Sequence, residues 1–241
     1  MKTDRDHVFP GDSEMARSMR ELDWPAVGMG DPADWPVQLR EACRIMLTSR
    51  HPAVLWWGPQ LRCLYNDAFL ELLGDRRPAL AAPGAQVRSD VWHILGPRLQ
   101  EVLEGAEPTW LDRMMLPLNR HGYREETYWT YAFSPLFDDG AVGGVLTACH
   151  DITEQVVGER RMAVLQRLGA QVGTARSVRE ACELVAEALR EEQRDIPFAA
   201  VYARDPDGDG PELVATSPPG TDPRPRDGGP GGWPLEEVMR T

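Results

Sequence analysis

The sequence predicts an α+β fold, in which helices cover one face of a five-stranded antiparallel sheet. Two short strand signals come first, helical signals follow, and three longer strand signals come after the helices. A doubly wound parallel sheet is excluded, because it requires strands and helices to alternate along the chain. Turn signals also separate neighbouring strands, with Gly58-Pro59 after the first strand and Asp138-Asp139-Gly140 before the last.

Residues 1–50 are predicted to form a helical extension that packs on the domain after it. Ser13 can cap a first helix at residues 14–22, and Asp34 can cap a second helix that carries Pro36 in its first turn. The apolar residues of the second helix recur three or four positions apart, so this helix needs a surface to pack against.

Residues 51–153 are predicted to form the central domain. A hairpin of strands 53–57 and 61–65 opens it, and a short helix follows, for which Asn66 and Asp67 are the capping residues. A longer helix spans residues 90–104. Three strands complete the sheet, at residues 109–119, 123–136 and 142–152. In the second of them, one face is predicted to carry Tyr123, Trp129, Tyr131 and Phe133.

Residues 154–176 are predicted to be a linker helix that leaves the sheet at its final edge. Asp151 lies three positions before Glu154, which is typical of a capping box at a helix start. The apolar residues of this helix lie near heptad spacing. Two interpretations remain open, a solvated linker or a short coiled coil between two copies of the chain.

Residues 177–241 are predicted to be the first part of a second α+β domain. Ser177 can cap a helix at 178–190, and strands follow at 198–203 and 212–215. The segment 205–234 is rich in proline and glycine, which indicates loop. One helix and one hairpin cannot bury a core within about 65 residues, so we expect this domain to be truncated.

Four motifs occur in order along these elements: W-P-x-x-L at residues 35–39, L-W-W-G-P at 55–59, Y-N-D-A at 65–68 and D-I-T-E at 151–154. Together they resemble a PAS sensor domain, of the kind found at the N-terminus of bacterial sensor histidine kinases and of related regulatory phosphatases. The region from residue 177 onward resembles the opening of a GAF domain. The resemblance implies a PAS-like sheet with helices on one face.

The resemblance implies a sensory and signal-transduction role. The chain would perceive a small molecule or an intracellular signal and relay it through the linker helix to an output domain, a histidine kinase of a two-component phosphorelay. A homodimer through the PAS domain and the linker helix is expected. Two alternatives stay open: the sensor region of a serine/threonine phosphatase-type regulator, and a PAS module that binds no ligand and serves protein interaction or dimerisation.

The resemblance and the residue pattern together give two groups of candidates. Asp151 and Thr153 match the D-I-T element, which couples the last strand to the outgoing helix, and both can accept backbone N–H groups there. The aromatic candidates could line a cavity for a small planar ligand, but packing in the core is the favoured interpretation, because the inner face of the sheet must be covered in either case. The candidate cavity residues are Trp56, Tyr65, Asn66, Trp92, His93, Trp129, Tyr131 and Phe133.

The sequence gives little support for catalytic activity or for a bound cofactor. No nucleotide-binding or hydrolase motif is present, so we expect a non-catalytic sensor region. A flavin adduct is not expected, because Cys63 lies on a predicted strand and not in the helical motif of light-sensing relatives. Haem is considered only through His93, on the helix before the third strand. The other histidines lack metal-binding spacing, so no metal site is predicted.

The charge balance and the cysteines suggest the environment of the chain. The formal net charge is -12, which disfavours nucleic acid as a partner. No apolar run is long enough to span a membrane, and the N-terminus lacks the apolar stretch of a secretory signal. The four cysteines form no C-x-x-C pair, so reduced thiols in a cytoplasmic protein are expected.

Overall fold

The computed structural model describes residues 4–73, 80–105, 107–204 and 211–221. The chain divides into two units, Met1–Val156 and Val157–Thr241. The predicted turn at 205–210, most of the predicted loop to residue 234 and the segment after it lie outside the described residues.

A five-stranded antiparallel sheet forms the centre of the first unit, as the sequence predicts. Its strands are β1 (Ala53–Trp57), β2 (Arg62–Tyr65), β3 (Thr109–Asn119), β4 (Arg124–Asp138) and β5 (Ala141–Asp151). They lie in the order β2-β1-β5-β4-β3, and each neighbouring pair is antiparallel. The expectation that the chain leaves from an edge of the sheet is wrong, because β5 lies between β1 and β4.

Six helices accompany the sheet in the described part of this unit. They are α1 (Asp4–Val8), α2 (Glu14–Glu21), α3 (Val37–Thr48), α4 (Asp67–Leu72), α5 (Gly84–Val87) and α6 (Trp92–Leu103). The Ser13 hydroxyl caps α2 as predicted, at 3.2 Å from the Ala16 amide. The prediction that Asp34 caps α3 is wrong. Asp34 ends a short 3-10 helix that Asp31 caps, and Pro36 occupies the N-cap position of α3 without a side-chain hydrogen bond.

Apolar residues are buried on both faces of the sheet. One face, called the inner face here, packs against α4, α5 and α6 in a core that includes Val54, Tyr131 and Leu99. The opposite, outer face of β1 and β2 is covered by the N-terminal helices in a second core. Phe9, Trp24 and Trp35 lie in that second core, where neighbouring ring centroids are 4.8–5.8 Å apart.

The alternation of β4 is confirmed for three of the four aromatic residues. Trp129, Tyr131 and Phe133 are buried on the inner face. Tyr123 is 63% exposed, and its placement on this face was therefore wrong. The physical reason is that β4 begins only at Arg124, so Tyr123 belongs to the connection from β3, and strand periodicity does not apply to it.

The second unit contains most of helix α7 (Thr153–Val172), helix α8 (Val178–Leu189) and a hairpin of β6 (Ala199–Arg204) and β7 (Pro211–Ser217). The Ser177 hydroxyl caps α8 by accepting the Glu180 amide at 3.1 Å. Arg160 donates to both carboxylate oxygens of Asp195 at 2.6 and 2.7 Å, which fixes α7 to the segment after α8. Across the described residues, the helices are too short or too polar to cross a bilayer.

The burial of the cysteines gives a test of this packing. Cys43, Cys63 and Cys149 are buried, and burial raises their pKa values, that of Cys149 to about 12. Cys182 is partly exposed.

Because the thiolate is the reactive form, we expect iodoacetamide to modify Cys182 first in the folded protein at pH 8, as read by peptide mass spectrometry. In urea all four thiols should react at similar rates. Modification of Cys43 in the folded protein as fast as Cys182 would contradict the described core.

Candidate ligand-binding and signal-coupling site

An aromatic strip lines the inner face of β4. Trp129, Tyr131 and Phe133 alternate along the strand, so their side chains project to the same side. Their successive ring centroids are 6.0 and 5.7 Å apart, and the Tyr131 and Phe133 rings are stacked at 10°. Burial raises the pKa of Tyr131, so this phenol stays neutral at physiological pH.

The structure brings most of the aromatic candidates together. Trp56 and Tyr65 lie in the same core as the aromatic strip, and Trp92 packs against it. Trp56 and Trp92 have ring centroids 6.1 Å apart, and the Trp56 indole N–H donates to the Thr147 hydroxyl at 3.0 Å. These aromatic residues belong to one core on the side of the sheet that α4, α5 and α6 cover.

Asn66 is buried but faces backbone groups. Its Oδ1 accepts the amides of Ala53 and Phe69 at 3.1 and 3.0 Å. Its Nδ2 donates to the carbonyls of Met46 and His51 at 3.1 and 2.8 Å, and further to that of Ser49 at 3.2 Å. The side chain therefore joins the end of α3, the start of β1 and the start of α4, and its amide is fully used by these bonds.

His93 lies apart from the aromatic strip. It is exposed on α6 and lines an open groove of about 570 Å³ together with Leu61, Pro83 and Trp92. Haem iron is bound in pockets whose polarity and access the protein controls. An exposed histidine on an open groove does not fit that requirement, so the surroundings of His93 do not favour haem. Within the described residues, no cluster of three metal-ligating side chains occurs.

A network of hydrogen bonds holds the junction between β5 and α7, including one from the Thr153 hydroxyl to Asp151 Oδ1 at 2.5 Å. The Thr153 amide donates to Asp151 Oδ1 at 2.9 Å, as expected for a helix start. The Thr153 Oγ1 in turn accepts the Tyr128 amide at 2.9 Å, and the Ile152 amide donates to the Tyr128 carbonyl at 2.9 Å. Asp151 Oδ2 accepts from Arg120 at 2.9 Å. The first turn of α7 is thus bonded to the backbone of β4.

Arg120 links this junction to the β3–β4 connection. Its guanidinium also pairs with Glu125 at 3.0 Å, and the His121 ring nitrogen lies 2.9 Å from the other Glu125 oxygen. Burial acts to raise the pKa of Glu125, but the hydrogen bonds from His121 and Arg120 outweigh burial and hold it below its ordinary value. Glu125 is therefore ionised at neutral pH, and Arg120 is shared between two carboxylates.

Comparison with known proteins agrees with this architecture. Residues 47–157 match the model of a protein family described as PAS fold. This segment is a PAS fold domain. A search of curated proteins found no match.

Several solved structures are similar to the chain. The PAS domain of BvgS from Bordetella pertussis is 24% identical, with a TM-score of 0.41, over 54% of this chain and 96% of that one. A LOV protein from Rhodobacter sphaeroides is 15% identical, with a TM-score of 0.40, over 66% and 98% of the two chains. A sensory box sensor histidine kinase from Vibrio cholerae is 13% identical, with a TM-score of 0.33, over 47% and 87%.

Sequence reasoning missed two arginines of the PAS domain. Arg120 lies in the predicted connection between strands 109–119 and 123–136, where the sequence gives no sign that its pairing with Asp151 joins this connection to the helix start. Arg88 is only 3% exposed and lies between α5 and α6. A charged residue in a short polar segment gives no sequence signal of burial, because burial here depends on helices and strands that are distant in sequence.

The lowered pKa of Glu125 predicts a pH-dependent stability difference. We expect Glu125→Gln to lower the free energy of unfolding at pH 7 by about 1 kcal/mol, because the ion pairs to Arg120 are lost. A depressed carboxyl pKa contributes stability above the ordinary glutamate value, and this contribution is lost as the pH falls through the lowered pKa. The difference between variant and wild type should therefore shrink towards pH 3, as measured by urea unfolding. A difference independent of pH would contradict the assignment.

Proposed function

We propose that this chain is a sensory module, whose PAS domain perceives a small molecule or an intracellular signal and relays it through α7 to an output domain. The β5–α7 junction carries this proposal. Tyr128 binds Ile152 and Thr153 through its backbone, and the next residue along β4, Trp129, belongs to the aromatic strip. A change in packing at the strip that shifts β4 therefore shifts the bonds that hold the first turn of α7.

The proposed relay biases an equilibrium between two arrangements of the junction. Asp151 and Thr153 are its coupling residues, because they connect the helix start to Arg120 and to the β4 backbone. A ligand shifts such an equilibrium only if it binds one arrangement more tightly than the other. Contact of the ligand with the aromatic strip supplies that difference, since the strip and Tyr128 share one strand.

The wider organisation is proposed as follows. Residues 1–50 are a helical extension, 51–153 the PAS domain, 154–176 a signalling helix and 177–241 the beginning of a GAF domain, which together precede a histidine kinase of a phosphorelay. The order of the sequence motifs supports this arrangement. Met162 and Leu165 on α7 are both more than half exposed, which supports a homodimer through this helix. The four free cysteines fit a reducing, cytoplasmic compartment.

Two alternatives differ in output and in ligand. A serine/threonine phosphatase-type regulator would use the same sensor, and the coding sequence downstream of residue 241 distinguishes it from a kinase. A ligand-free interaction module is favoured by the outer face of the sheet, where Trp110 is 66% exposed beside a groove of about 410 Å³. Native mass spectrometry separates this second alternative from a ligand sensor, because it would show a dimer with no bound small molecule.

The proposed relay predicts that a change in side-chain packing at the aromatic strip alters amide hydrogen exchange in α7. Phe133 is 1% exposed and Phe137, on the same strand, is 58% exposed, so Phe133→Leu and Phe137→Leu form a matched pair. We expect Phe133→Leu to speed amide hydrogen exchange in the first two turns of α7 by about threefold or more, and Phe137→Leu to leave it unchanged. Exchange in β1 is the reference for general destabilisation. Equal acceleration in β1 and α7, or none in α7, would contradict the relay.

A further inference from the structure

Arg88 has an unusual environment for a charged residue. Its side chain is almost fully buried, yet its Nε and Nη2 find no hydrogen-bond partner among the described residues. Buried polar groups in proteins are nearly always hydrogen-bonded, and a buried donor left without a partner costs free energy. The chain therefore retains a destabilising group in the interior of the PAS domain.

The two free donors lie on one edge of the guanidinium. Nε and Nη2 of an arginine present parallel N–H groups, and this edge matches the two oxygens of a carboxylate. Asp90 is the nearby acidic group, with its Oδ1 3.5 Å from Nε. This ion pair leaves both N–H groups without a hydrogen bond. A carboxylate that binds along this edge can therefore pair with Arg88 in a better geometry than Asp90 does.

The charge of Arg88 acts on the inner face of the sheet. Burial raises the pKa values of Cys63, Tyr131 and Cys149, and the positive charge of Arg88 opposes the rise at each of them. These residues lie on β2, β4 and β5 and belong to the inner core. Tyr131 stacks on Phe133, so a cation and a stacked aromatic pair occur in the same region.

We infer that the PAS domain binds a small monocarboxylate with a planar apolar body, whose carboxylate pairs with Nε and Nη2 of Arg88. The planar body contacts the aromatic strip, and Asp90, whose side chain is 19% exposed, gives up its ion pair to the ligand. A phosphate is disfavoured, because one guanidinium edge pairs with two of its oxygens and leaves its further oxygens and charge without a partner in the core. This inference rests on the proposed sensory function and specifies its ligand class.

Binding of benzoate and benzamide to the full chain tests the inference. We expect benzoate to raise the melting temperature of the wild type and of Arg98→Met, and the neutral benzamide to raise neither. Arg98 is the matched control, since its side chain is 48% exposed on α6. In Arg88→Met the benzoate Kd should weaken by about thirtyfold or more, because the charged partner is lost. Acetate, 2-naphthoate and inorganic phosphate are tested in the same way as benzoate.

Stability without ligand gives a second, independent measurement. A buried ion pair of poor geometry is often less favourable than an apolar residue of similar volume. Arg88→Met should therefore have a higher urea midpoint than the wild type in the absence of any acid. A lower midpoint would show that Arg88 is a structural group and would overturn the inference.

The remaining outcomes distinguish a failure of the proposed ligand class from a failure of the proposed relay. If none of the three carboxylates stabilises the wild type more than benzamide does, or if phosphate binds through Arg88 as tightly as benzoate, the inference is wrong. The sensory function still stands in that case if Phe133→Leu changes exchange in α7. Benzoate binding that depends on Arg88 but leaves exchange in α7 unchanged would support this site and contradict the relay.

Discussion

The central position of β5 is the constraint on which the PAS domain depends. The strand pairs with β1 on one side and with β4 on the other, so it joins the short N-terminal hairpin to the two long strands. Close approach is required at Gly144, where an added Cβ would lie 2.5 Å from the Trp56 carbonyl oxygen. Because α7 follows directly from β5, the helix start is continuous with the strand that holds the sheet together.

The N-terminal extension is part of the same packing unit. The carboxylate of Asp67 on α4 accepts the amides of Glu14 and Met15 at the start of α2, at 3.0 and 2.8 Å. Asn66, the residue before it, joins α3, β1 and α4 through its amide. The extension thereby covers the outer face of β1 and β2, while the outer face around Trp110 on β3 stays exposed. The extension thus leaves part of the outer face uncovered.

Two arginines show how the same side chain can serve structure or recognition. Arg120 is shared between Glu125 and Asp151 at good distances, which stabilises the β5–α7 junction. Arg88 is more deeply buried and has one long contact to Asp90. Satisfied charges fix a geometry, whereas a buried donor without a hydrogen bond costs free energy. The first arrangement suits a relay, and the second suits a ligand site.

The sequence alone determined the local features of the protein. The order of helices and strands, the caps at Ser13 and Ser177 and the alternation along β4 follow from periodicity and capping, which depend on residues close in the chain. The burial of Trp129, Tyr131 and Phe133 on one face could be predicted for the same reason. Asn66 and His93 were included by motif and by helix position, which do not specify the direction of a side chain.

Tertiary structure alone decided the remaining features. It placed β5 in the middle of the sheet, left Tyr123 in solvent and buried Arg88 between α5 and α6. Strand order and burial depend on contacts between segments many residues apart, and a single sequence carries no periodic signal for them. The bonds from Tyr128 to Ile152 and Thr153 belong to this class, because they form only once β4 and β5 are paired.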